Sequence, residues 1–118
     1  MALASEGMTD CLFCKIVAGD VPATVVLDDS DWLAFEDIGP KAPVHVLVIP
    51  KRHVADIGEL ATDPAAAAAL VAGIGSVAAH LGLSSYRTVI NTGAEAGQSV
   101  FHVHAHVLGG RSLGWPPG

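Results

Sequence analysis

His102-Val103-His104-Ala105-His106-Val107, near the C-terminal end of the chain, alternates three imidazoles with three small apolar side chains. Side chains of a β-strand point to opposite faces with period two. The pattern predicts a strand over Val100–Leu108, with the imidazoles on one face and Val103, Ala105 and Val107 on the other. Like-facing residues on a strand lie roughly 6.5–7 Å apart. At that spacing one imidazole can attack a reactive centre while its neighbour donates a hydrogen bond. Neutral imidazole is both a nucleophile and a metal ligand, and it titrates near neutrality. Half of the six histidines fall in these five residues, so chance clustering explains them poorly.

Working outward, the other elements are short. Cys11 to Ala18 carries apolar residues at helical spacing and reads as a short amphipathic helix closed by Gly19. Thr24–Leu27 and Trp32–Asp37 read as strands joined by the turn Asp28-Asp29-Ser30-Asp31. Val44–Ile49 is a strongly apolar strand that Pro50 should stop. Asp63-Pro64 is a good helix start, an N-cap followed by proline, and Ala65–Leu81 continues the helix to Gly82. Tyr86–Asn91 reads as a strand and Thr92–Ser99 as a loop. Five strands and two helices predict one α+β domain over residues 11–118 with an antiparallel sheet, after a flexible segment over 1–10.

Composition narrows the function classes. The chain has 118 residues, of which 51% are hydrophobic and 15% charged, a composition suited to a buried core. A formal charge of −6 argues against a general nucleic-acid binder, since no basic stripe exists to neutralise phosphates. It leaves room for a small phosphorylated ligand held by amides and imidazoles. No apolar run reaches membrane-spanning length, and the N-terminus lacks the pattern of a signal peptide. Two cysteines make a disulfide scaffold improbable, so a cytoplasmic protein without membrane partners is expected.

Gly93-Ala94-Glu95-Ala96-Gly97-Gln98-Ser99 runs directly into the histidine stretch. Glycines let backbone N–H groups approach an anion, and Ser99 and Asn91 add polar side chains. Such a loop alone reads as an ordinary hairpin connection; beside three imidazoles it suits phosphoryl chemistry. Cys11-Leu12-Phe13-Cys14 has the spacing of a zinc half-site, with two buried thiols or a redox pair as alternatives. Asp37 at a strand end reads as a turn residue. His45, amid apolar neighbours, reads as a satisfied buried histidine. His80, at the end of the long helix, reads as a surface residue. Leu12, Phe13, Ile16 and Phe35 read as core.

The run from Gly97 to Arg111 resembles the signature of the histidine triad family, and more closely its branch of nucleotide-binding purine nucleoside phosphoramidases. Phe13-Cys14-Lys15-Ile16, Leu33 to Ile38, Ala42 to His53 and Trp115-Pro116-Pro117-Gly118 recur in the same order, so the likeness covers residues 11–118. It implies a histidine triad fold that dimerises into a continuous sheet, and hydrolysis of the P–N bond of purine nucleoside 5′-phosphoramidates. His104 would be the nucleophile, His106 the donor to phosphate and leaving amine, with His102 and His45 supporting them. Asn91, Gly97, Gln98 and Ser99 would bind phosphate and Asp37 the ribose hydroxyls. Leu12, Phe13, Ile16, Phe35 and Ile38 would hold the base, and Trp115 of the tail would reach the site of a partner subunit. By likeness to zinc-bearing bacterial relatives, His53 and His102 would complete a structural zinc site with Cys11 and Cys14. No organic cofactor is implied. A dinucleoside polyphosphate hydrolase, a nucleotide-binding module without catalysis and a triad-based metallohydrolase are the rival readings.

Overall fold

A computed structural model describes residues 10–118. The expected flexible segment over 1–10 lies outside the described residues, except for the exposed turn residue Asp10.

Helix α1 (Leu12–Ala18) opens the described chain. Cys11, read from sequence as part of this helix, is instead its N-cap, and its sulfur accepts from the Cys14 amide at 3.3 Å. Gly19 closes α1 in the left-handed region at φ 83°. Strands β1 (Val25–Asp28), β2 (Trp32–Glu36) and β3 (Val44–Pro50) follow. Then come a one-turn helix α2 (Ile57–Leu60), the long helix α3 (Pro64–His80), and strands β4 (Tyr86–Val89) and β5 (Ala105–Gly109). The sheet order is β1-β2-β3-β5-β4, and every neighbouring pair is antiparallel. The α+β class, the antiparallel sheet and its five strands match the expectation.

The sheet has a core on each face. Trp32, Ala34, Val46, Val48, Ala105 and Val107 point to the face covered by α3. Leu33, Phe35, Leu47 and Ile49 point to the face covered by α1, where they meet Cys11 and Phe13. Strand β3 is buried on both faces, and its unbroken apolar run follows from that. Asp63 caps α3 by accepting from the Ala66 amide, with Pro64 in the first turn, as the sequence indicates. His80, its last residue, is exposed as expected.

Gly73 lets α3 sit against the sheet. A Cβ there would lie 2.8 Å from Trp32 Cδ2 and 3.0 Å from Val48 Cγ1. Both neighbours are buried and neither is the free end of a flexible chain. Gly73→Val should therefore cost about 2–3 kcal/mol through overpacking, read as a lowered urea midpoint at unchanged m-value.

Several boundaries shift by one or more residues from the sequence reading, and three departures have an evident cause. Pro50 is the last residue of β3, where a missing N–H is tolerated at the strand end. Helix α2 was not expected, although Asp56 capping Glu59 is a capping-box pattern that signals it. Strand β5 begins at Ala105, not Val100, because the Val103 amide leaves the sheet to donate to the Val54 carbonyl at 2.7 Å.

Candidate active site

The residues before β5 keep the period-two alternation without its ladder. Val103, Ala105 and Val107 enter the core under α3, while His102 and His104 turn towards Phe13 of α1. The Phe13 ring meets the His104 ring edge-on at a centroid distance of 5.0 Å. His106 lies 5.1 Å from His104, ring to ring.

The hydrogen bonds assign a proton to each ring. His104 Nδ1 lies 2.9 Å from the His102 carbonyl oxygen. A carbonyl only accepts, so Nδ1 carries a proton, and in the neutral ring the lone pair is on Nε2. The tautomer therefore turns Nε2, the nitrogen free to act as nucleophile, away from the His102 carbonyl. The Lys41 amide donates to His45 Nδ1 at 3.0 Å, which places the His45 proton on Nε2. That Nε2–H faces His106 Nδ1 at 2.9 Å, so His106 carries its own proton on Nε2. Asp37 Oδ2, 3.5 Å from His45 Nε2, favours the same arrangement. Two adjacent imidazoles therefore serve opposite roles, His104 as lone-pair donor and His106 as N–H donor.

Burial disfavours the charged forms of His106 and His45. Desolvation lowers His106 to about 4, helped by the neighbouring His104 and His45 and opposed by Asp37. Desolvation also lowers His45, against the pull of Asp37. Between about pH 6.5, where a free histidine titrates, and pH 4 the unfolded chain binds protons that folded His106 refuses. Unfolding is then favoured as pH falls, so stability should decline from pH 6.5 towards 4 and stop responding to His106 below that. Urea titrations of the native chain and His106→Asn across this range check it; the variant should show the shallower pH dependence.

His104 and His106 open into a cleft of about 250 Å³. Its apolar wall is formed by Leu12, Phe13, Ile16, Phe35 and Leu47, and Asp37 and the fully exposed Ile38 also line it, with the Asp37 carboxylate in a cluster with His45 and His106 whose polar atoms lie within 4.8 Å of one another. Ser99 and Val100 line it as well. Nine residues singled out from sequence thus meet in one cavity: Leu12, Phe13, Ile16, Phe35, Asp37, Ile38, Ser99, His104 and His106.

A second cluster lies behind His104. Cys11, Cys14, His53 and His102 each offer one ligand atom, and these atoms lie within 4.8 Å of one another. Sulfur-to-nitrogen distances are 3.4 Å for Cys11–His102, 3.3 Å for Cys14–His53 and 3.5 Å for Cys14–His102. In a tetrahedral zinc site, Zn–S near 2.3 Å and Zn–N near 2.0 Å put S and N about 3.5 Å apart. His102 Nε2–H donates to the Pro50 carbonyl at 2.7 Å, leaving Nδ1 bare and aimed at both sulfurs. The donor set and spacing fit zinc. Without a metal, burial and the neighbouring Cys11 thiol push Cys14 up to about 12, so its thiol stays protonated.

The HIT domain model matches residues 18–113 of this sequence. The chain belongs to the HIT family. A HIT family hydrolase from Legionella pneumophila Philadelphia 1 superposes with TM-score 0.87 at 48% identity, covering 92% of this chain and 99% of that one. A histidine triad nucleotide-binding protein from Candida albicans superposes with TM-score 0.78 at 30% identity, covering 92% and 84%. The 14 kDa zinc-binding protein of Zea mays is 42% identical over 121 residues, 91% of this chain and 87% of the relative.

Some of the residues sequence reading assigned to this HIT site stand elsewhere. The Gln98 side chain does not face the cleft. It is buried, with Oε1 accepting from Gly93 N and Nε2 donating to Ala55 O and Val100 O, so it braces the loop. Gly97 adopts φ 103° beside the Asn91 side chain, and neither lines the cleft itself. Trp115 lies against Arg87, whose guanidinium stands 5.8 Å from the ring and whose Nη2 donates to Gly114 O. It is 81% exposed and away from this chain's own cleft. Sequence reading gave no role to the Lys41 amide, which sets the His45 tautomer. A backbone donor carries no residue-type signal.

Proposed function

We propose that this HIT chain is a hydrolase that cleaves the P–N bond of purine nucleoside 5′-phosphoramidates through a nucleotidyl-histidine intermediate. The observation that carries the reading is the pairing of a His104 Nε2 lone pair with a His106 Nε2–H across one cleft. An apolar slot of this size lined also by a carboxylate, a hydroxyl and two imidazoles suits a nucleoside monophosphate. The base lies between Leu12, Phe13, Ile16 and Phe35, and Asp37 accepts from the ribose hydroxyls. Ser99, the one residue of this loop's polar set that lines the cleft, receives the phosphate.

His104 Nε2 attacks phosphorus and the P–N bond to the amine breaks, its electron pair leaving with nitrogen. That nitrogen takes the proton held at His106 Nε2 and departs as neutral amine. The charge left on His106 is balanced by the positive ring of nucleotidylated His104. Water then attacks phosphorus, frees His104 and returns a proton to His106, which closes the balance. Two moderate displacements replace one difficult one.

Cys11, Cys14, His53 and His102 would hold a zinc ion whose role is structural, tying α1 to the end of β3; none of the steps above passes through it. A homodimer is supported by the open edge of β4 and by exposed apolar residues on it and on α3, such as Tyr86 and Val71. In such a dimer the tail bearing Trp115 could meet the partner's cleft. The test is release of a fluorescent amine from an adenosine 5′-phosphoramidate, with mass spectrometry of the quenched enzyme. An adduct of AMP mass on His104 supports the reading, and absence of both release and adduct rejects it.

A further inference from the structure

The run Gly109-Gly110-Arg111 lies outside the cleft, yet it connects to His106 through a chain of hydrogen bonds. Gly110 takes φ 89°, and a Cβ on it would lie 2.9 Å from Pro43 Cβ. Only glycine lets the chain turn so closely over the loop before β3. The turn brings Arg111 back across that loop, where its Nη2 donates to the Lys41 carbonyl at 2.8 Å. Nη1 donates to the Ser112 carbonyl at 2.9 Å and fixes the other arm of the guanidinium. The same Lys41 residue donates its amide to His45 Nδ1 at 3.0 Å, and His45 Nε2–H faces His106 Nδ1 at 2.9 Å.

We propose that Arg111 is a positioning residue that makes His106 a hydrogen-bond donor, by holding Lys41 where its amide locks the tautomers of His45 and His106. The inference rests on the phosphoramidase reading for its catalytic consequence, though not for the tautomers themselves. A neutral imidazole pair sharing one hydrogen bond has two arrangements. In one, His45 donates to His106, and His106 turns its N–H to the cleft. In the other, His106 donates to His45 and turns a lone pair to the cleft, where it cannot assist a departing amine. The amide at His45 Nδ1 is compatible only with the first. Asp37, 3.5 Å from His45 Nε2, favours it as well, but its carboxylate is also the acceptor for ribose. The Lys41 amide has no such second task. Lys41 is exposed in a loop between strands, and Arg111 holds its carbonyl from 70 positions away in sequence.

The test separates tautomer from turnover. Nitrogen-15 spectra of labelled histidines distinguish protonated from bare ring nitrogens. The native chain should show Nε2–H on both His45 and His106, and Arg111→Met a mixture with Nδ1–H on His106. In kinetics, Arg111→Met should slow release of an alkylamine from its adenosine phosphoramidate by about 10–100-fold, the loss expected on weakening a proton donor. Release of p-nitrophenolate from the corresponding AMP ester, which needs no proton, should change less than about twofold. Arg111→Lys, which keeps a donor for the Lys41 carbonyl, should move the ratio of the two rates back towards native. Unchanged tautomers in Arg111→Met, or equal losses on both substrates, would overturn the proposal. A native chain that releases neither leaving group counts against the phosphoramidase reading instead, and the spectra still decide the tautomers.

Discussion

Replacing His104 by alanine lowers amine release from an adenosine 5′-phosphoramidate by at least about a thousandfold, the scale of removing a covalent nucleophile. The cleft holds no substitute. His106 presents an N–H in place of a lone pair, and among the described residues no base hydrogen-bonds the Ser99 hydroxyl. The apolar wall and Asp37 are untouched, so AMP should still bind. His104 is 5% exposed, and truncating it leaves a void. A urea titration should therefore accompany the assay, to show that lost turnover is not lost fold. A variant that binds AMP, is folded and releases no amine fits the nucleophile assignment. A variant that turns over like the native chain removes His104 from that role and favours a metal-activated water or a site without catalysis.

Removing zinc bound by Cys11, Cys14, His53 and His102, or changing Cys14 to serine, should lower Tm while leaving the proposed chemistry of the folded protein intact. A ligand present at a thousand times its Kd adds about 4 kcal/mol to the folded state. In a chain of this length that corresponds to roughly 15 °C in Tm. The site links α1 to β3 and to the residues before β5, so the loss should fall first on the α1 wall of the cleft. Zinc uptake should also release protons, because both ligand thiols must ionise and Cys14 otherwise stays protonated up to about pH 12. Metal analysis, scanning calorimetry and proton release on titration with zinc measure all three. Amine release at low temperature should survive chelation. Its abolition in a folded apoprotein would instead make the metal catalytic.

Much of this arrangement was legible in the residues, for reasons that differ from part to part. Alternation around His104 gave the correct faces even though His102 and His104 lie outside the ladder. Burial of Val103 and Ala105 imposes the alternation, whether or not strand hydrogen bonds form. The long helix was readable because Asp63 and Pro64 start it with side-chain chemistry. The cleft residues were legible through the family likeness; by spacing alone Phe13 and Phe35 are core, and both are indeed buried. Gln98 misled because it sits beside Ser99 in the loop that leads into the histidines, while its own amide group is used up on Gly93, Ala55 and Val100. Trp115 could not be placed from sequence, since its neighbour Arg87 sits 28 positions earlier on β4. The tautomers were out of reach, because main-chain groups of Lys41 and His102 set them.

The pairing of β3 with β5 has a further consequence, for the order in which this protein acquires its properties. Val44 meets Gly109 and Val48 meets Ala105 across an insertion that contains α3 and β4. Closing so long a loop costs chain entropy before any contact offsets it. The hairpin of β1 and β2 and the isolated α3 can form locally, but neither has a binding site. His45 reaches His106, and Phe13 reaches His104, only after the two ends of the chain have met. Nucleotide binding in a refolding experiment therefore times the last long-range closure, and a nascent chain remains without affinity until β5 has been synthesised.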